Sequence, residues 1–209
     1  MADPTNILHL DYEVLPVLTQ RRSPRAYLDQ PVPAEVLNRI FAAGTSAASC
    51  IGEQPWRYLA ASREGQPEAF ARLLATLKPF NQVWAKTAPV LVMGLAKRTF
   101  AKDGNANDWA RHDLGQATAT LAIQATELGL QVHQMGGFSP DEVRAAFNVP
   151  DDFDIVTAFT LGYPGPAEQL DEPLRSRELA PRSRMPVAEI LFWGEWPTAD
   201  TEDYTAAQK

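Results

Sequence analysis

Apolar residues recur in two spacings along the chain, and the switches between them lay out its elements. Over residues 30–44, Leu37, Ile40 and Phe41 share one helical face, with Pro33 placed to open the helix and Gly44 to end it. Phe70, Leu73, Leu74 and Leu77 repeat that spacing over 67–77. The longest such pattern is Leu114, Ala117, Leu121, Ala125 and Leu128, closed by Gly129, and its many alanines suit a helix pressed by close neighbours. Ser139-Pro140-Asp141-Glu142 opens another helix as a capping box, with Glu142 reaching back. A short helix over 12–20 is predicted ahead of an arginine-rich stretch, although it contains Pro16.

Strand patterns fall between these helices. WRYLAAS (56–62) is one, and the apolar run APVLVMGLA (88–96) reads as an interior strand. VHQMGG (132–137) predicts a strand and tight turn, and DIVTAFTLGYP (154–164) an alternating strand. TSAASCIGEQP (45–55) is a loop, and the polar, turn-rich AKDGNANDWARH (101–112) reads as a loop or flap. Helices outnumber strands without repeating as βα units, so the predicted class is α+β. From about residue 165 to 209 the chain is rich in Pro, Arg and Glu, then exposes Leu191, Phe192, Trp193 and Trp196. That composition predicts an extended arm seeking a surface, such as a second subunit, on a single domain spanning 1–209.

Charge narrows the classes of function. With 19 Lys+Arg against 26 Asp+Glu and a net charge of −7, the chain lacks the extended basic face that nucleic acid requires. No apolar run reaches the roughly 18 residues of a membrane span, and MADPTNILHLDYEV does not read as a signal peptide. One cysteine suits a reducing compartment, so the expected location is the cytoplasm, with neither membrane nor nucleic acid as partner. His9, His112 and His133 lack zinc spacing, so no metal site is expected. No Gly-x-Gly-x-x-Gly follows a strand, and there is no Walker loop. Cys50 paired with a histidine would make a thiol nucleophile; a packed free thiol is the plainer alternative.

Against the acidic background, Arg21, Arg22 and Arg25 crowd into RRSPR around Ser23, and Arg182 and Arg184 into RSRMP. From charge alone, each cluster reads first as a solvated surface run. Brought together in space, the guanidinium forks would clamp a phosphate. Between the clusters, Ser49, Cys50 and Gly52 offer backbone groups, and Gly136-Gly137 lets backbone approach a flat ring.

In that order, RRSPR, SAASCIGEQPW, DLGQATATLAIQATELGL, MGGFSPDEVRAAFNVP with LGYP, and RSRMP resemble the FMN-dependent nitroreductases over residues 12–193. The resemblance implies a central, mainly antiparallel sheet flanked by helices, with FMN as cofactor and NADH or NADPH as co-substrate. It implies that Arg21, Ser23, Arg182 and Arg184 hold the phosphate and ribityl end, with Arg22 adjacent. Arg25 would face the N1/C2 edge of the flavin, and Gly136 or Gly137 would face N5. Ala48, Ser49, Cys50 and Gly52 would line the pyrimidine side from the partner of a homodimer with shared active sites. The flavin carries the chemistry, so no acid–base side chain is assigned as catalytic. Planar acceptors such as nitroaromatics or quinones would react in ping-pong order; Phe100, Trp109 and His112 in the flap are candidates for a lid, with exposed or core aromatics as the plainer alternative. Ala48 replaces the family's proline and Gly52 its asparagine. These departures leave room for a flavin-modifying or other specialised reductase, or for a non-catalytic FMN-storage protein.

Overall fold

The computed structural model describes residues 8–196. Four strands, β1 (Trp56–Ser62), β2 (Val90–Lys97), β3 (Gln131–Met135) and β4 (Phe153–Gly162), form one sheet in the order β1-β2-β4-β3. Every pairing is antiparallel. Trp56, Ala96 and Asp154 align at one end, while Val90 and Val132 both pair with Leu161 at the other. The two edge strands are therefore β1 and β3.

The helices are α1 (Pro16–Gln20), α2 (Ala34–Gly44), α3 (Pro67–Ala75), α4 (Pro79–Ala85), α5 (Ala110–Glu127), α6 (Pro140–Phe147) and α7 (Leu174–Leu179). They cover both faces of the sheet. Val90 and Val92 of β2 pack with Ile40 of α2 and with Leu121 and Ala125 of α5. Leu91 and Met93 point the other way, into Phe70 and Leu73 of α3 and Trp84 of α4. That double covering is why β2 reads as a continuous apolar run. Fully burying a side chain such as Leu121 contributes about 1.5–3 kcal/mol. The alanines of α5 bring α2 close: a Cβ added at Gly44 would meet the Ala117 carbonyl oxygen at 3.2 Å.

Several boundaries differ from the sequence reading, for local reasons. The first helix begins only at Pro16, which occupies its first turn, where a missing N–H costs nothing. Pro33 caps α2 from outside rather than starting it. Leu77 lies beyond α3, bridged to Phe138. Ser139 caps α6 by accepting from the Glu142 N–H. Its own N–H, which a full capping box gives to Glu142, is donated to the Thr76 carbonyl at 2.9 Å. The C-terminal half of β4, from Ala158 to Gly162, is buried throughout rather than alternating, because helices cover both faces. His112 belongs to α5 and not to a flap. The stretch after Pro164 begins as part of the body: Leu170 and Leu174 are core residues and Glu178 is buried. Exposed apolar side chains return at Ile190, Leu191, Trp193 and Trp196.

Candidate functional site

The segment joining α1 to Tyr27 is anchored to the start of β3. Arg22 N–H donates to Gln131 Oε1 at 2.9 Å, and Gln131 Nε2 donates to the Gln20 carbonyl at 3.4 Å. Thr126 Oγ1, near the end of α5, donates to the same Oε1 at 3.3 Å. The next residues are fixed by Tyr27, whose buried hydroxyl lies 2.7 Å from Thr160 Oγ1. His133 Nδ1 sits 2.9 Å from the Pro24 carbonyl, so Nδ1 carries the proton. The ring packs on Trp84 with centroids 4.5 Å apart. Burial, reinforced by the nearby Arg25 and Arg21 charges, holds its pKa down to about 4 even though the carbonyl contacts oppose this, so the imidazole is neutral near neutrality.

From the other side α7 delivers Glu178, whose side chain is 3% exposed. Its Oε2 accepts the Arg25 N–H at 2.9 Å and its Oε1 accepts Arg22 Nη2 at 3.3 Å. Arg25 Nη1 lies 3.8 Å from Oε2. Burial pushes the Glu178 carboxyl up from its ordinary value, against the pull of its donors. Just beyond α7, Arg182 donates from Nη1 to the Arg21 carbonyl and from Nη2 to the Thr19 carbonyl, both at 2.6 Å. The two arginine clusters thus meet. They enclose a cavity of about 160 Å³ lined by six arginines, including Arg21, Arg25 and Arg184, and one glutamate.

Crowded guanidiniums repel one another. Burial, and then Arg184, lowers the proton affinity of Arg21; burial, and then Arg21 and Arg184, does the same for Arg182. Among the described residues no carboxylate pairs with Arg21 or Arg184, and Arg25 Nε is buried with no hydrogen-bond partner. Surplus positive charge around a small cavity fits a phosphate monoester such as that of FMN.

The other predicted residues do not all join this pocket within one chain. Cys50 N–H donates to Asp113 Oδ2 at 3.0 Å, and Gln54 N–H donates to Ser49 Oγ at 3.0 Å. This loop, with exposed Ala48, lies beside the Trp56 end of β1, diagonally across the sheet from Gln131. From Asp113 to Thr126 the α5 axis advances about 20 Å. Gly52 has φ +74°, a left-handed conformation that asparagine also tolerates, so replacing the family asparagine leaves the loop path intact. The lid candidates belong to the same corner. Phe100 lies in a turn closed by Gly104, and Ala101 N–H is tied to Glu53 Oε1 at 2.7 Å. Trp109 is exposed, and its ring meets His112 edge-on at 6.2 Å. His112 Nδ1 lies 3.3 Å from Asp113 Oδ1.

The two glycines after β3 separate in role. Gly137 gives its carbonyl to Lys78 N–H at 2.9 Å and Asn81 Nδ2 at 3.0 Å, and a Cβ there would meet Asn81 Nδ2 at 2.6 Å. Gly136 faces open space. Sequence reasoning missed Gln131, His133, Asp113 and Glu178, each of which acts by holding backbone. The only available signal for Glu178 was a lone acid within RSRELAPRSR.

The fold and the pocket together define an α+β protein with an antiparallel sheet and an arginine-lined cavity at one corner. The chain belongs to the Nitroreductase family, whose family model matches residues 18–163. A crystal structure of an FMN-containing oxidoreductase superimposes with a TM-score of 0.86 at 32% identity, covering 94% of this chain and 99% of that one. A 15.4 kDa protein of the ask 5′ region of Mycolicibacterium smegmatis is 32% identical over 146 residues, 67% of this chain and 97% of its own. An NADH dehydrogenase of Thermus thermophilus is 26% identical over 205 residues, 83% of this chain and 92% of its own. Among the described residues no helix is long and apolar enough to cross a membrane.

Proposed function

We propose that the protein is an FMN-dependent oxidoreductase that uses NADH or NADPH and acts as a homodimer with shared active sites. The observation carrying this reading is the meeting of Arg21, Arg182 and Arg184 around one cavity beside β3. The chemistry FMN supplies when bound is ping-pong hydride transfer at N5, from NAD(P)H to a nitroaromatic, quinone or related planar acceptor.

Arg21 and Arg184 would hold the phosphate, with Arg182 fixing the Arg21 backbone and adding its charge. Ser23, which accepts from Arg21 Nη1 at 3.3 Å, would serve the ribityl end. Gly136 offers open backbone one strand-length away along β3. Arg25 contributes less to the ring than its free charge suggests, because Glu178 already lies 3.8 Å from it. Two unit charges ~4 Å apart attract by ~4 kcal/mol at an effective dielectric of ~20, so that pairing offsets most of a similar gain at the flavin. The Ala48–Gly52 loop with Phe100, Trp109 and His112 would complete the site from the partner subunit, because the ~20 Å of α5 between Asp113 and Thr126 separates them from their own chain's pocket.

The purified protein should be yellow or become so with added FMN, and NADH or NADPH should bleach it anaerobically. Arg184→Ala should weaken FMN binding at least about tenfold by fluorescence titration, the scale of one charge-assisted hydrogen bond. A protein that binds no FMN overturns the flavin reading. A bound flavin that neither nicotinamide bleaches points instead to storage.

A further inference from the structure

A carboxylate inside a basic pocket opposes the anion that the pocket would hold, unless its charge is already balanced. Glu178 is such a group. It takes the Arg25 N–H at 2.9 Å and Arg22 Nη2 at 3.3 Å, with Arg25 Nη1 at 3.8 Å. Arg177 is committed elsewhere, its guanidinium 5.1 Å from the centre of the Phe80 ring. Arg21 and Arg184 differ: their guanidiniums donate to neutral oxygens, Ser23 Oγ at 3.3 Å and the Ser183 carbonyl at 2.7 Å. The pocket therefore has one side where charge is balanced and another where positive charge is in surplus.

We infer that Glu178 is the specificity-determining residue of this pocket, admitting one phosphoryl group beside Arg21 and Arg184 and turning a second away from the Arg22–Arg25 side. This rests on the flavin reading and deepens it: the seat accepts a phosphate monoester and rejects a diphosphate. Space does not impose that limit, since a cavity of about 160 Å³ is large beside the ~10–15 Å³ that admits a water. Charge does. A second phosphoryl group would meet guanidiniums whose field Glu178 already cancels, and at the same short range it would meet the carboxylate itself.

The test is calorimetric titration of wild type and Glu178→Gln with inorganic phosphate and with pyrophosphate at fixed ionic strength, followed by FMN and FAD. Glutamine keeps an oxygen for the Arg25 N–H and removes the charge. The ratio of pyrophosphate to phosphate affinity should rise about tenfold in Glu178→Gln, with FAD gaining on FMN in the same sense. Arg22→Gln, which leaves the carboxylate less compensated, should move the ratio the opposite way. An unchanged ratio in a folded Glu178→Gln protein overturns the inference, as does a wild type that binds neither anion. If Glu178→Gln does not fold, the Arg22→Gln ratio decides alone, and no shift there is equally fatal. A shifted ratio in a protein that binds no flavin supports the inference and removes the flavin reading. FMN binding with an unmoved ratio does the reverse.

Discussion

At the scale of single residues, His133 couples the arginine segment to pH. Its folded-state pKa of about 4 lies below the ordinary 6.5, chiefly through burial. The unfolded chain therefore takes up a proton before the folded one does. Its contribution is complete above about pH 6.5, is lost as pH falls toward about 4, and changes no further below that. His133→Asn places an amide nitrogen where Nδ1 now donates to Pro24 and removes the titration. Between about pH 7 and about pH 4.5, wild-type apoprotein should lose about 2 kcal/mol more unfolding free energy than the variant, measured by urea denaturation. Parallel losses would mean that the imidazole is not held neutral by its surroundings.

At the scale of elements, the turn from β3 into α6 separates a glycine that packing requires from one that the flavin reading requires. Gly137→Ala would drive a methyl group into Asn81 Nδ2 and break a 3.0 Å hydrogen bond, costing about 1–2 kcal/mol. Gly136→Ala has room and should change stability by less than about 0.5 kcal/mol while weakening FMN binding. Chemical denaturation and flavin titration of both variants check this, and equal destabilisation would refute the division. The same turn shows what the sequence could convey. The glycine pair marked a close approach, but choosing which glycine serves packing required Asn81, distant in sequence. Likewise α5 was legible from its period and from Gly129, and β2 from its apolar run, because those signals are local. Asp113 and Gln131 were not legible as anchors, because their partners, Cys50 and Arg22, are 63 and 109 positions away. The RRSPR and RSRMP clusters were visible in the sequence, and the fold supplied their meeting.

At the scale of the molecule, one chain holds the arginine pocket and the Cys50 loop at opposite corners of the sheet, and it leaves Ile190, Trp193 and Trp196 exposed at 62%, 87% and 74%. The homodimer proposed above would account for both features. Ending the chain after Arg184 should keep the pocket residues and remove those apolar groups. Sedimentation should then show a dimer for the full chain and a monomer for the shortened one, with flavin binding reduced. A shortened chain that remains dimeric would place the interface elsewhere.

The arginine pocket joins residues 19–25 to residues 178–184, nearly the two ends of the described chain. During synthesis Arg25 emerges 153 positions ahead of its partner Glu178. Contacts of such long sequence separation carry a larger loop-closure cost than local ones. On the flavin reading, cofactor capture would follow the joining of these two segments, and a chain cut short before α7 would lack the guanidiniums of Arg182 and Arg184 that the phosphate needs.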